Sequence, residues 1–535
     1  MSAFEVSWPQ QQLEQHFQPA RALRCFIGRP QSLHALLENA VAVNPHGTAL
    51  VCDNTRLSYS ELNRRVAQLA AAWQQLGIQP GDRIALLLGN RIEFVLCLLA
   101  ATRLGAITVP ISIREQTPGL HYMLEHCAAA LLVHESSLAD VVPSSDSLPG
   151  LRWRVSFDGC AGALDFDSLL SSEQLDKPAP VQDEDPAVIL YTSGTTGRPK
   201  GAMLSHLGIV HSSMHYQAGM ALGMNDVGLA AVPLSHVTGL VALVTTMLHV
   251  AGTMVILPSF KAAAFLQLAQ QEKMTYTIMV PAMYNLCLLQ PDFGHMDLRH
   301  WRVGAYGGAP MPVASIEAMA RTLPALVLMN CYGATETTSP ATMMPPGMTP
   351  LHNDTVGQPL ACSDIKVVDD DGLSLPAGDM GEIWIKGPMV VAGYWNNPEA
   401  TAKEFVDGYW KSGDMGSLDA QGYVRILDRK KDMLNRGGYK IYCIEVENTL
   451  YQHPAVAECA IVAKPCPVLG ERVHAFISLR DAVSAEELTV FCSTRLSREK
   501  VPESFTLSNQ PLPRNANGKL MKRDMRETLL KTLNT

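Results

Sequence analysis

The segment Tyr191-Thr-Ser-Gly-Thr-Thr-Gly-Arg-Pro-Lys-Gly201 gathers hydrogen-bond donors around glycine, a composition suited to holding a polyphosphate. Gly194 and Gly197 let the backbone bend until several N–H groups converge on one anion. The hydroxyls of Thr192, Ser193, Thr195 and Thr196 add donors, and Lys200 adds positive charge. An apolar strand over 187–190 precedes the loop and a helical-looking stretch follows it, a setting that favours anions. The G-x4-G-K-[ST] spacing of a Walker A loop is absent. A glycine, serine and threonine run alone is ordinarily a flexible loop; its length and the buried strand before it point to phosphate. His236 is a second chemistry-bearing residue, isolated in a stretch from 227 to 260 without Asp, Glu, Lys or Arg. On residue type alone it reads as a satisfied core histidine.

These groups need a scaffold, and 535 residues are too many for one hydrophobic core, so a large body and a further domain are expected. At 47% apolar and 17% charged the chain reads as globular, and a net charge of −9 carries no nucleic-acid footprint. Twelve cysteines stand singly with no C-x-x-C pair, which suits reduced, cytoplasmic core thiols and argues against a disulfide framework or zinc site. Residues 1–11 lack an apolar signal-peptide core. Ser58 and Glu61 form a capping box for a helix through Leu62, Val66, Leu69, Trp73 and Leu76, stopped by Gly77. A strand over 84–88, a helix over 91–104 and a strand over 107–110 predict a parallel sheet covered on both faces. In the uncharged stretch, Pro233, Ser235, His236, Thr238, Gly239, His249 and Gly252 interrupt any membrane-spanning surface. A buried helix over 238–250 and a strand over 253–257 fit better than a membrane span. After Asp364, short strands over 365–368, 381–386 and 423–427, separated by Asp-Gly and Pro-Ala-Gly turns, predict antiparallel sheet. Asp428-Arg-Lys-Lys-Asp432 is either a solvated turn or a domain boundary, with a small α+β domain after it.

The loop at 191–201 resembles the phosphate-binding signature of the adenylate-forming superfamily: acyl- and aryl-CoA synthetases, peptide-synthetase adenylation domains and firefly luciferase. Further blocks similar to that family follow in order: 233–239, 306–310, Asn330-Cys-Tyr-Gly-Ala-Thr-Glu336, Tyr409-Trp-Lys-Ser-Gly-Asp414, 428–447 and Pro513-Arg-Asn-Ala-Asn-Gly-Lys519. The resemblance implies an α/β fold, with an N-terminal adenylate-forming domain over 1–430 and a mobile α+β domain over 431–535, hinged at Lys431. It implies Thr335 on the α-phosphate, Glu336 on Mg²⁺, Tyr332 stacked on adenine and Asn330 at its edge. Gly307, Gly308 and Ala309 would let the base lie against backbone. Asp414 and Arg429 resemble ribose ligands, Lys519 the adenylation lysine, and Gly437-Gly438 the loop that admits a thiol arm. His236 matches a position that gates the thiol tunnel.

The implied reaction activates a carboxylic acid with ATP and passes the acyl group to coenzyme A. A carrier-protein phosphopantetheine as acceptor, a non-catalytic AMP-binding protein and a luciferase-like oxygenase are the alternatives. A buried ammonium would need a carboxylate partner, and none lies between Asp226 and Glu272, so an amino acid is disfavoured. The candidate acid pocket holds His236, Val237, Thr238, Met283, Tyr284, Ala305, Tyr306, Ala334 and Thr337, which favours a fatty or aryl acid.

Overall fold

The computed structural model describes residues 12–18, 21–157, 159–170, 173–192, 198–514 and 520–533. It divides into two compact units, the first comprising 1–365, 385–410 and 421–423, the second 366–384, 411–420 and 424–535.

The first unit is α/β and carries two large sheets. One orders its nine strands as Gln358–Pro359, Thr342–Met343, Val327–Tyr332, Val303–Tyr306, Tyr276–Met279, Val227–Ala230, Thr253–Ile256, Thr48–Cys52 and Thr55–Ser58. Its centre is parallel. The other orders seven strands as Lys200–Ser205, Pro186–Thr192, Ile107–Pro110, Arg83–Leu87, Ala129–His134, Trp153–Ser156 and Leu164–Asp165. Helices Leu33–Val43, Tyr59–Gln75, Ile92–Arg103 and His206–Met220 contribute to one core with both sheets, through Leu37, Trp73, Leu98, Val210 and Ala305. Each fully buried Leu or Phe there contributes about 1.5–3 kcal/mol. The predicted capping box starts Tyr59–Gln75: Ser58 Oγ accepts the Glu61 N–H and Glu61 accepts the Ser58 N–H.

Two local expectations change. The helix over 238–250 is a wide π-helix, Thr238–Thr245, followed by the short helix Thr246–His249. Thr245 and Thr246 hydroxyls both reach the Val241 carbonyl, which helps satisfy a backbone pulled off the α ladder. The phosphate-type loop does not open directly onto a helix either. Pro186–Thr192 pairs antiparallel with Lys200–Ser205, with Thr192 opposite Lys200, and helix His206–Met220 starts only after that strand, capped by Ser205. Among the described residues no helix is long and apolar enough to cross a membrane.

The second unit is smaller and α+β. Tyr439–Ile441, Leu434–Arg436, Gly470–Leu479 and Val456–Cys466 lie in that order in one sheet, and Ser504–Ser508 adds parallel to Gly470–Leu479. Helices Cys443–Tyr451 and Ala485–Ser493 close a core of its own, with Val446, Leu450, Ile461, Ile477 and Leu488. All twelve cysteines of the chain are free thiols.

Candidate functional site

Strand Val327–Tyr332 ends in a tight corner that aims Glu336. The short turn Thr335–Thr337 follows, and Thr337 Oγ1 accepts the Ala334 N–H at 2.8 Å. Thr338 and Ser339 then adopt φ of +48° and +93°, a left-handed backbone that costs about 1–3 kcal/mol at a non-glycine residue. The chain folds back so closely that a Cβ on Gly333 would lie 1.5 Å from the Ser339 carbonyl oxygen. Only glycine fits there. Gly307 is similarly placed, with the Cys331 carbonyl 2.3 Å from where its Cβ would be.

Glu336 is buried and accepts hydrogen bonds from hydroxyls, Tyr394 Oη at 2.9 Å and Thr192 Oγ1 at 3.5 Å. Tyr394 Oη also lies 2.6 Å from Glu404 Oε2, and the other Glu404 oxygen pairs with Lys200 Nζ. Lys200 Nζ sits 4.3 Å over the Tyr394 ring. Lys200, Glu404, Tyr394 and Glu336 therefore form one continuous, largely buried chain. Burial, then the neighbouring charges of Glu336 and Glu404, push the Tyr394 phenol far above its usual range, so it is a permanent donor. Thr192 and Lys200 bracket the loop; Ser193, Gly194, Thr195, Thr196 and Gly197 lie outside the described residues, as does Lys519.

Sequence reading did not find Tyr394 or Glu404. They lie between the predicted strand over 381–386 and the block at 409–414, and no local spacing links them to Glu336. The backbone brings them in: Trp395 N–H donates to Gly201 O, Met203 N–H to Gly393 O and Val391 N–H to Glu336 O. Asn397 then caps helix Pro398–Glu404, with Pro398 in its first turn, and Glu404 closes it.

The other expected residues are placed as follows. Asn330 is buried with its amide donating to the Thr355 carbonyl at 3.3 Å; Tyr332, Ala334 and Thr335 are half-buried. Gly308 and Ala309 are exposed. His236 and Thr238 are half-buried at the start of the π-helix, and Thr238 N–H donates to His236 Nδ1 at 3.2 Å. That bond puts any ring proton of the neutral imidazole on Nε2, and burial lowers the basicity of the ring. Val237, Ala305 and Thr337 are closed off from solvent.

Tyr284 and Tyr306, expected in the acid pocket, are closed off from solvent. Both pack with Phe265 and Trp301 in a second core cluster, and the Tyr284 hydroxyl donates to Ala305 O at 2.7 Å. The reason is the strand period of two: Ala305 and Tyr306 are neighbours in sequence and face opposite sides of the sheet.

In the second unit, Asp414 and Arg429 sit opposite each other on paired strands, with Arg429 Nε 2.8 Å from Asp414 Oδ1. The charge run at 428–432 is no simple solvated turn, because Asp428 is buried and accepts the backbone N–H of Cys443. Lys431 is exposed. Gly437 and Gly438, with φ of +60° and +92°, make the two-residue turn between Leu434–Arg436 and Tyr439–Ile441, a geometry glycine adopts without strain.

Glu336 suits a divalent cation. Among the described residues no cationic side chain pairs with it, and the chain Lys200–Glu404–Tyr394–Glu336 carries formal charge −1 when both carboxylates are ionised. No cluster of three or more His, Cys, Asp or Glu among the described residues is placed to cage a metal. Magnesium does not need one: it binds through one or two carboxylates, substrate phosphates and retained waters.

Comparison with known proteins agrees with this architecture. Residues 37–395 match the family model described as AMP-binding enzyme, and 445–519 match the AMP-binding enzyme C-terminal domain. The chain is similar to the feruloyl-CoA synthase of Amycolatopsis sp, 34% identical across 93% of this chain and 99% of that protein. It is similar also to the long-chain-fatty-acid–CoA ligase FadD13 of Mycobacterium tuberculosis, 30% identical across 92% of this chain and 97% of that one. Among solved structures, the anthranilate CoA ligase AuaEII in complex with anthranoyl-AMP superposes with a TM-score of 0.88 at 26% identity, over 95% of this chain and 99% of the other.

Proposed function

The chain belongs to the AMP-binding enzyme family, and from that premise we propose that it is an AMP-forming acid–thiol ligase acting on an aryl or fatty carboxylic acid with coenzyme A as acceptor. In the first step the substrate carboxylate attacks the α-phosphorus of ATP, forming acyl-AMP and releasing pyrophosphate. In the second the thiolate of coenzyme A attacks the acyl carbonyl and AMP leaves. The observation that carries the reading is Glu336, a buried carboxylate at a strained strand end, joined through Tyr394 and Glu404 to the lysine of the phosphate-type loop.

Both steps bring anions together, so the protein's task is positioning and charge neutralisation. Lys200 and the hydroxyls and N–H groups of 192–197 hold the polyphosphate. Glu336 holds Mg²⁺, which when bound neutralises phosphate oxygens and keeps the triphosphate in one geometry. Thr335 contacts the α-phosphate, and Lys519 holds substrate carboxylate and α-phosphate together. Tyr332, Asn330, Gly308 and Ala309 take the adenine, and Asp414 and Arg429 the ribose hydroxyls. The division falls at Lys431, with 1–430 as the adenylating domain and 431–535 rotating to present Gly437-Gly438 to the thiol. His236, held neutral, gates the thiol's path, with Val237, Thr238, Ala305, Gly307, Ala334 and Thr337 around the acid.

An uncharged acid tail is favoured because 227–271 carries no acid and Asp226, the nearest one before the π-helix, is already engaged by Arg302 at 2.7 Å and by Thr275. Twelve free thiols suit a reducing, cytoplasmic setting. The test is pyrophosphate release over fatty, aryl and amino acids with and without coenzyme A. Benzoate-type or medium-chain acids are expected to be activated, with thioester formed only when coenzyme A is present. Faster activation of free amino acids would reject the acid class. Acyl-adenylate that coenzyme A does not discharge, but a phosphopantetheinylated carrier protein does, would replace the acceptor.

A further inference from the structure

Tyr394 Oη has one proton and two carboxylate neighbours, Glu404 Oε2 at 2.6 Å and Glu336 Oε1 at 2.9 Å. Packing does not require that hydroxyl. The strand around it is already held by Trp395 N–H to Gly201 O at 2.7 Å and Met203 N–H to Gly393 O at 3.2 Å, and the ring packs edge-on to Phe405 at 5.6 Å between centroids. Burying two carboxylates and a lysine together is costly, and apolar residues of similar size would be as stable. The arrangement is better explained by what it transmits.

We propose that Tyr394 and Glu404 are positioning residues that couple Lys200 to Glu336, so that triphosphate and metal are bound as one unit. The proposal rests on the assignment of Lys200 to phosphate and Glu336 to Mg²⁺. With Lys200 paired to Glu404, the charge of Glu404 is neutralised and the Tyr394 proton is available to Glu336. A triphosphate draws Lys200 toward itself. Glu404 then becomes the stronger acceptor and the phenol O–H turns to it as a hydrogen bond, so the Glu336 oxygen is released to face the cation with its full charge. Every bond exchanged is a hydrogen bond or ion pair; no proton leaves the phenol oxygen. By linkage, a cation on Glu336 must favour the same state and so strengthen the Lys200–phosphate contact by the same factor.

Calorimetric titration of the full chain with ATP, in saturating Mg²⁺ and in EDTA, tests this without turnover. Tyr394→Phe keeps the ring and the net charge. It is expected to leave metal-free ATP affinity within about twofold of wild type while cutting the enhancement by Mg²⁺ about tenfold, within the usual range of intersite coupling. Glu404→Gln can still accept from Tyr394 but no longer holds Lys200, and its enhancement should also fall. Wild-type enhancement in either variant overturns the coupling. So does equal weakening of ATP with and without metal, the signature of a structural role. A wild-type protein that binds ATP with Mg²⁺ yet releases pyrophosphate with no acid would reject the ligase reading, while the same titrations still decide the coupling. A wild-type protein that does not bind ATP rejects both.

Discussion

Two buried clusters in this molecule have the same formal composition, two carboxylates and one lysine, and are built differently. In the first unit Glu336 and Glu404 are bound mainly by side chains: the Tyr394 and Thr192 hydroxyls and the Lys200 ammonium. In the second unit Asp428 accepts the backbone N–H groups of Arg429 and Cys443, Glu447 accepts that of Ile461 at 2.8 Å, and Lys522 Nζ lies 2.6 Å from Glu447. Burial raises the basicity of Asp428, against the pull of Lys522; burial would discharge Lys522, but Glu447, Cys443 and Asp428 together outweigh it and keep the ammonium charged. Backbone donors cannot be exchanged for a ligand without unfolding something. Side-chain hydroxyls and a lysine can turn toward one. The first cluster is accordingly built to serve as the site proposed above, and the second ties Val424–Arg429 to the helices that follow.

The contrast breaks most readily at Lys522. Lys522→Met strands two buried carboxylates and should cost the second unit about 3–5 kcal/mol, read as a lower denaturation midpoint. A loss below about 1 kcal/mol would mean this cluster is as adaptable as the other. Glu336→Ala should do the opposite. Pyrophosphate exchange should fall by about a hundredfold or more, whereas stability should change by only about 1 kcal/mol, since Tyr394 keeps Glu404 as its acceptor. Near-normal exchange would remove Glu336 from the metal role.

Next in size is an effect of acid on the first unit. His206 Nδ1 accepts the Leu33 N–H and His211 Nε2 the Phe26 N–H, so both rings must be neutral, and burial lowers them to about 4 and about 3. The unfolded chain protonates these rings near 6.5. Stability is therefore complete above that pH and declines as the pH falls toward 4, by on the order of 1–3 kcal/mol per ring. Denaturant titrations at pH 7.5, 6, 5 and 4 read the slope. His206→Gln should flatten it, because an amide can accept the same N–H without titrating; an unchanged slope would remove His206 as its source. The smallest effect is expected at Gly438, exposed at φ +92°. Gly438→Leu should cost about 1 kcal/mol, leave pyrophosphate exchange intact and slow thioester formation from supplied acyl-adenylate. Equal loss in both half-reactions would deny the turn a role specific to the thiol step.

The sequence by itself determined the elements whose signal is local. The Ser58/Glu61 cap, the strand Ile107–Pro110 and the parallel α/β body follow from residue period and turn chemistry, which act over a few residues. At 191–201 the residue types suggested a phosphate loop, whereas at 330–336 only the family resemblance suggested a cation ligand. Tertiary structure alone decided which face each residue takes and which distant residues meet. Tyr306 and Ala305 went to two different cores on opposite faces of the sheet because a strand alternates, and the sequence around them is apolar on both sides. The segment after the loop became a strand rather than a helix because Lys200–Ser205 found Pro186–Thr192 as an antiparallel partner, a pairing no propensity encodes. Tyr394 lies 58 positions from Glu336, and only the folding of 391–404 against the end of strand Val327–Tyr332 joins them. A hydrogen bond between remote side chains leaves no periodic trace in a sequence, because its partners are chosen by packing rather than by spacing.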